Sequence, residues 1–292
     1  MLNGFFVIDK QEGWTSHDVV AKVRGILGVR RVGHTGTLDP LATGVLPVMV
    51  GRATRAAELL ACQGKEYTAR FRTGLTTDTQ DITGTVLTTN PPETDLDKVR
   101  KAAAGFLGKG TQIPPMYSAI KLGGKKLYEL ARKGVEVERA PRAVEFSNIE
   151  VRPLGGGEFE LDVGCSKGAY IRTLCHDIGL ALGCGATMTA LRRIRSGPFC
   201  IKDSVRLCEL QEAANLSEAE KHMLRLDEVF LDLPEVFIDG LNLKRCLCGT
   251  PFETSKPDGR YRVYSQSGEF LMLGLAREGR MSTWKSFFEP QN

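Results

Sequence analysis

Residues 66–75, EYTARFRTGL, alternate strictly. Tyr67, Ala69, Phe71 and Thr73 fall on one side, and Thr68, Arg70 and Arg72 on the other. A period of two with one apolar and one polar side predicts a strand with one buried face. Upstream, Phe5–Asp9 is a short apolar run that reads as a buried strand, broken at Gly13. Thr15-Ser16-His17-Asp18 then forms a capping box, with a hydroxyl at the cap and a carboxylate three residues on. Val19, Val20, Val23, Ile26 and Leu27 follow at one-face helical spacing up to Gly28. Residues 32–44, VGHTGTLDPLATG, have a loop composition. Val45–Val50 carries Pro47, which predicts an irregular or edge strand. Residues 51–61 look helical.

Downstream of the alternating strand, residues 76–84 form a polar turn region. A helix is expected over Asp95–Leu107, a loop over Gly108–Pro115, and a basic stretch over 117–142 with a short helix near Lys126–Lys133. Strands follow at Glu145–Val151 and Phe159–Cys165, then a helix at Ala169–Leu182 and an apolar, basic run at Thr187–Ile194. Acidic helices over 203–233 lead to a boundary at Leu233-Pro234. Short strands (Val236–Ile238, Tyr261–Tyr264, Phe270–Ala276) then make a small all-β module. Strands and helices mix without strict βαβ alternation. The expected class is therefore α+β with a mainly antiparallel sheet, over residues 1–233, followed by the module at 234–292.

Composition narrows the setting. The chain has 292 residues, 42% hydrophobic and 25% charged, enough for a sizeable core without a staple. No stretch of about 18 uncharged apolar residues exists, so no transmembrane helix is expected. MLNGFFVIDK lacks a basic region before its apolar run and reads as a first strand, not a signal peptide. The eight cysteines include no CxxC pair and no zinc-finger spacing. Reduced thiols in a cytoplasmic protein are expected, without disulfides or structural metal.

Net charge is only +4, but its distribution is uneven. Residues 98–145 hold eleven Lys or Arg against four Asp or Glu, and residues 166–202 hold six against one. Residues 203–235 hold three against nine. The pattern describes either a polarised, phosphate-attracting surface or a set of solvated helix faces.

Two segments could carry chemistry. In the 32–44 loop, Pro40 restricts Asp39 and the glycines permit tight backbone paths. A carboxylate held this way can act as nucleophile or acid/base, with His34 beside it. An Asp-Pro turn initiator with a capping histidine is the plainer alternative. In Ser166-Lys167-Gly168-Ala169-Tyr170-Ile171-Arg172, a turn entering a helix frees backbone N–H groups for an anion, and Arg172 could pair with a carboxylate or phosphate. An ordinary helix start with a surface arginine fits as well. The chain contains no GxxxxGK[ST], no GxGxxG after a strand, no GxSxG and no HExxH.

Taken together, six segments resemble the bacterial TruB family, the tRNA pseudouridine-55 synthases. They are GFFVIDKQEGWTSHDVV (4–20), VGHTGTLDPLATGVLPV (32–48), KEYTARFRTGLTTDTQD (65–81), PPMYSAIKLGGKKLYELARKG (114–134), CSKGAYIRTLCHDIG (165–179) and LRRIRSGPF (191–199). They occur in the family's order, and GTLDPLATGVLP with a downstream K-x-Y is highly specific.

The resemblance implies a pseudouridine-synthase catalytic core with a mixed, mainly antiparallel central sheet. It also implies a small PUA-like C-terminal domain and a basic RNA-clamping insertion at about 112–142. Asp39 matches the family's catalytic aspartate, and His34 its motif histidine near the flipped base. Tyr67 matches the tyrosine that stacks on the target base. Tyr170 and Arg172 match the tyrosine and arginine of its SKGxYxRxL segment, and Leu191 the leucine that contacts the base. The implied substrate is uridine 55 in the T-arm of tRNA, flipped into a pocket with an aromatic face. A nearby Arg172 would pair with Asp39 and orient it.

No metal or organic cofactor is implied, because the detached base itself returns as the new nucleophile. The enzyme is expected to act as a monomer. Phosphate contact is expected from Lys121, Lys125, Lys126 and Arg132, whose neutralisation would weaken tRNA binding and flatten its salt dependence. Three other readings stay open from sequence: a non-catalytic RNA binder on the same fold, a synthase guided by a separate RNA, and a small-molecule hydrolase with an aspartate nucleophile. If residues 234–292 only add RNA contact area, their deletion raises KM with little loss of kcat.

Overall fold

In the computed structural model, which describes residues 2–213 and 215–288, the alternating segment is the strand Lys65–Thr73. Tyr67, Ala69, Phe71 and Thr73 are buried on one face. It lies inside a ten-stranded mixed sheet. The order is Met223–Arg225, Gly4–Lys10, Thr43–Val50, Ala186–Ser196, Lys65–Thr73, Glu158–Cys165, Arg142–Gly155, Gly108–Gln112. Val32–His34 adds to Thr43–Val50, and Phe199–Cys200 to Ala186–Ser196. Every neighbouring pair is antiparallel except Thr43–Val50 with Ala186–Ser196, which touch in parallel at only two positions, Arg192↔Thr43 and Arg193↔Gly44. The fold is α+β with a mixed, mainly antiparallel sheet, as the sequence implied.

Gly4–Lys10 shows why its sequence is a continuous apolar run and not an alternating one. Phe6 and Ile8 enter the core beneath the helices Ser16–Leu27 and Ile171–Ala181. Phe5 and Val7 enter a second core on the opposite face. A strand covered on both sides has no polar face to show. The helix Ser16–Leu27 begins at the expected capping box: Asp18 N–H donates to the Thr15 hydroxyl and Thr15 N–H to the Asp18 carboxylate. It ends at Gly28 in the left-handed region.

Two expectations are corrected. Thr43–Val50 is not an edge strand, because Gly4–Lys10 pairs with it on one side and two strands share the other. Pro47 is tolerated because its carbonyl accepts from Thr35 N–H (3.2 Å). A strand residue turns its carbonyl and N–H to the same side. The missing donor therefore faces the gap between the two partners, where the contact with Ala186–Ser196 has ended and Val32–His34 begins. Gly108–Gln112 is a strand and not a loop; it pairs with Arg142–Gly155 at the sheet's edge.

The acidic segment contains the short helices Leu207–Glu212 and Leu216–Glu220, then Met223–Arg225, which joins the main sheet beside Gly4–Lys10. Beyond Pro234 a curled five-stranded sheet runs Glu235–Ile238, Gly259–Ser265, Phe270–Arg277, Arg280–Ser286, Phe252–Glu253, with one helix, Gly240–Leu247. It packs on the second core through Leu273 and Phe287, which join Phe5, Val7, Val45 and Met49. Tyr264 donates to Asp227 (3.0 Å), and Arg55 donates to the carbonyls of Ser286 (3.3 Å) and Phe288 (3.0 Å). Among the described residues no helix is long and apolar enough to cross a membrane.

Candidate active site

The loop that carries Asp39 is tied at several points. Leu38 N–H donates to the Ser16 hydroxyl (2.8 Å), and that hydroxyl lies 3.1 Å from Leu38 O, to which it donates. Gly13 N–H donates to Pro40 O (2.9 Å) and Ala42 N–H to Asp39 O (3.0 Å). Lys10 is fully buried. Its ammonium donates to Gln11 O, Trp14 O and Pro40 O, at 2.9, 2.7 and 3.2 Å. Burial lowers its pKa to about 8, opposed chiefly by the Asp39 charge.

From the sheet side Arg193, 1% exposed, donates to Val45 O (2.6 Å) and Gly36 O (3.0 Å). Gly44 allows that close approach. It has φ +94°, and a Cβ there would collide with the Arg193 carbonyl. Within this frame the Asp39 side chain stays half-buried, 38% exposed.

Arg172 meets it. The Arg172 side chain is 4% exposed and its Nε lies 3.0 Å from Asp39 Oδ2. Nη1 donates to Thr79 O (3.0 Å) and lies 3.7 Å from Asp81 Oδ2, and Nη2 donates to Tyr117 O (2.9 Å). Asp81 is held in turn by the Thr79 hydroxyl (2.8 Å), the Thr83 hydroxyl (2.6 Å) and Thr83 N–H (3.0 Å). Arg172 lies in the first turn of Ile171–Ala181, and Tyr170 is that helix's N-cap.

Tyr67 stands on the buried face of its strand, opposite Arg193 in register. Burial raises its phenol pKa, offset in part by Arg193. Burial likewise raises the pKa of Tyr170. Leu191 pairs with Ala69 one step along the same face. Irregularities in register at 188–190 and 193–195 bracket this piece of strand and set it off from its ends.

Asp39, Tyr67, Tyr170, Arg172 and Leu191 all line one cleft of about 980 Å³, a size that suits a small-molecule or nucleotide-sized group. Lys126, Tyr128 and Arg132 of the basic stretch form its opposite wall. The Lys126 ammonium and the Arg132 guanidinium lie 5.3 and 5.4 Å from the centre of the Tyr128 ring. Three other expected residues, Lys121, Lys125 and His34, stand outside the cleft. Lys121 is exposed on the small ladder Lys121–Leu122 with Lys125–Lys126. His34 lies behind His17, which does line the cleft, with the rings edge to face at 5.6 Å. Burial, then His17 and Arg193, push the His34 pKa down to about 4, and its Nδ1 accepts from Gly36 N–H (3.3 Å).

Sequence reasoning named neither Asp81 nor Arg193. The density of Thr and Asp in 76–83 signalled side-chain-to-backbone turns there, but no spacing linked that turn to Arg172. Arg193 becomes meaningful only once its strand is paired beside Tyr67. Among the described residues no group of three or more His, Cys, Asp or Glu side chains converges as metal ligands do.

The arrangement offers an anchored carboxylate, a guanidinium that orients it, a flat aromatic face and a basic wall. Residues 24–171 match the model of the TruB family pseudouridylate synthase N-terminal domain, and residues 172–237 that of the tRNA pseudouridylate synthase B C-terminal domain. A tRNA pseudouridine synthase B from Syntrophotalea carbinolica is 44% identical over 86% of this chain and 82% of its own. Its namesake from Clostridium kluyveri is 39% identical over 98% and 100%. Among solved structures, a chain of a Cbf5–Nop10–Gar1 complex superposes with TM-score 0.74 at 29% identity, over 98% of this chain and 85% of that one. A chain of an H/ACA RNP bound to a substrate RNA containing 2'-deoxyuridine superposes with TM-score 0.73 at 26% identity, over 99% and 86%.

Proposed function

The chain belongs to the TruB family of pseudouridylate synthases, and from that premise we propose that it converts uridine 55 in the T-arm of tRNA to pseudouridine with Asp39 as nucleophile. The observation that carries the proposal is the 3.0 Å pair of Arg172 Nε with Asp39 Oδ2 in the cleft that Tyr67 also lines.

The target uridine leaves the helix stack and enters the cleft, where Tyr67 supplies an aromatic face and Leu191 an apolar one. Asp39 attacks the uracil ring or the ribose carbon. The bond from N1 to the ribose breaks, the base turns over, C5 bonds to the ribose in its place, and the bond that Asp39 formed breaks to return its free carboxylate. The C5 proton goes to solvent and N1 ends protonated. Arg172 keeps the carboxylate aimed throughout, because its other donors are engaged by Thr79 and Tyr117.

Phosphates of the T-arm are held by Lys126 and Arg132 on the cleft wall and by Lys121 and Lys125 nearer the tip of the insertion. Residues 1–233 form the catalytic unit and 234–292 a PUA-like RNA-binding unit, acting as a monomer in the cytoplasm. Tritium release from tRNA labelled at uridine C5 tests the reading. Release by the wild type and none by Asp39→Asn is the expected result. Release by both variants would move the essential group away from Asp39, and release by neither would remove the activity.

A further inference from the structure

Gln112 stands where the chain leaves the main sheet for the basic insertion. Arg142, its register partner in the neighbouring strand, stands where the chain returns. The Gln112 side chain is engaged by a single residue: Nε2 donates to Tyr170 O (3.2 Å) and Oε1 accepts from Tyr170 N–H (3.0 Å). Gln112 is 5% exposed. Tyr170 is the N-cap of the helix bearing Arg172, and it makes no side-chain cap bond of its own. Its carbonyl also accepts from Leu174 N–H (3.0 Å), the first bond of the helix, so the contact that Gln112 alone supplies is the acceptor for the Tyr170 N–H in a half-buried place.

Five residues on, the same segment reaches Arg172 itself. Tyr117 O accepts from Arg172 Nη2 (2.9 Å), while the Tyr117 hydroxyl donates to Asp78 Oδ2 (3.3 Å). Between the two contacts lie Ile113-Pro114-Pro115-Met116. The two prolines restrict the backbone there, so a displacement at one end of the segment is carried to the other.

Resting on the synthase reading above, we infer that Gln112 and Tyr117 are positioning residues through which the root of the insertion holds Arg172 in register with Asp39. Capture of RNA by the insertion and alignment of the reacting carboxylate are then one mechanical event. Gln112 does not line the cleft, and its role is exerted wholly through Tyr170 and the helix start.

The test compares wild type, Gln112→Leu, Gln112→Glu and Tyr117→Phe. Two quantities are measured for each: the single-turnover rate of tritium release at saturating enzyme, and the Kd for tRNA by filter binding. Gln112→Leu is expected to lose about tenfold to a hundredfold in rate, the scale of a small misplacement of catalytic groups. Its Kd should stay within about twofold, the signature of an effect on the chemical step. Gln112→Glu keeps only the acceptor for Tyr170 N–H and should fall in between. Tyr117→Phe should lose several-fold in rate with the same unchanged Kd.

A Gln112→Leu rate within about twofold of wild type, or a weakening of Kd that accounts for the whole rate loss, would overturn the inference. If Gln112→Leu shows no cooperative melt, Tyr117→Phe, which keeps its ring, decides by the same criteria. A wild type that binds tRNA yet releases no tritium overturns the function itself, an outcome distinct from variants that match an active wild type.

Discussion

Arg172 is a buried cation whose donors reach three separate stretches of chain: Asp39, the turn at Thr79 and Asp81, and Tyr117. A lysine has one compact ammonium in place of a planar fork and cannot span those acceptors together. Arg172→Lys is therefore expected to retain tRNA binding and lose about a hundredfold in single-turnover rate. Measuring rate and Kd on one preparation checks it, and a rate close to wild type would refute the fork's role. His34 makes a different kind of prediction. Its folded pKa is pushed down to about 4 by burial, His17 and Arg193, whereas the unfolded chain binds that proton near 6.5. Between these values the unfolded state carries more protons, so stability falls as pH drops from about 6.5 through 4. Urea unfolding of His34→Gln should lose less stability than wild type between pH 7.5 and pH 5, with the two curves parallel above pH 7.5.

At the level of elements, the turn from the Asp39 loop into Thr43–Val50 depends on Gly44, pressed against the Arg193 backbone with positive φ. Gly44→Ala adds a left-handed non-glycine residue and a collision at once. A loss of about 3 kcal/mol is expected in chemical denaturation, with activity lost even where the protein stays folded, because Asp39 rides on the same loop. How far the elements could be foreseen follows from what each one faces. Lys65–Thr73 was legible because its two sides meet core and water, and Ser16–Leu27 because its caps and apolar stripe agree. Gly108–Gln112, GKGTQ, was not legible, since of its five residues only Gln112 is buried and an edge strand of glycines and polar groups has no period to detect. Pro47 misled because the rule about missing donors says nothing of which side the donor would face. The site divides in the same way. Asp39, Tyr67, Tyr170, Arg172 and Leu191 sit in contiguous motifs. Asp81, Arg193 and Gln112 act on residues far along the chain and acquire their parts only through pairing. The displacement of His34 behind His17, and of Lys121 outside the cleft, depends on side-chain packing that spacing does not encode.

Over the whole molecule, the C-terminal sheet is more than an appended surface. Leu273 and Phe287 complete a core that also holds Phe5, Val7, Val45 and Met49 from the first strands and Leu60, Phe199 and Phe230 from later segments, and Arg55 and Asp227 bond across the same seam. Deleting residues 234–292 strips that seam, so the expectation of a raised KM with intact kcat gains a second component. The truncated protein should melt well below the full chain and expose apolar surface to a hydrophobic dye. A truncated form that melts at the full-length temperature would show that the seam contributes little. The order of the main sheet has a further consequence, which concerns the protein while it is being made. Ala186–Ser196 is central in the sheet yet among its last strands to leave the ribosome, and it is the piece that joins Thr43–Val50 to Lys65–Thr73. Until it emerges, Lys65–Thr73 keeps one long unpaired backbone edge, and Thr43 and Gly44 lack their partners Arg192 and Arg193, so this side of the sheet is open to other chains. The nascent protein is thus most vulnerable to aggregation during translation of roughly the middle third of its message, and it becomes both safe and catalytically complete only when that single strand closes the gap.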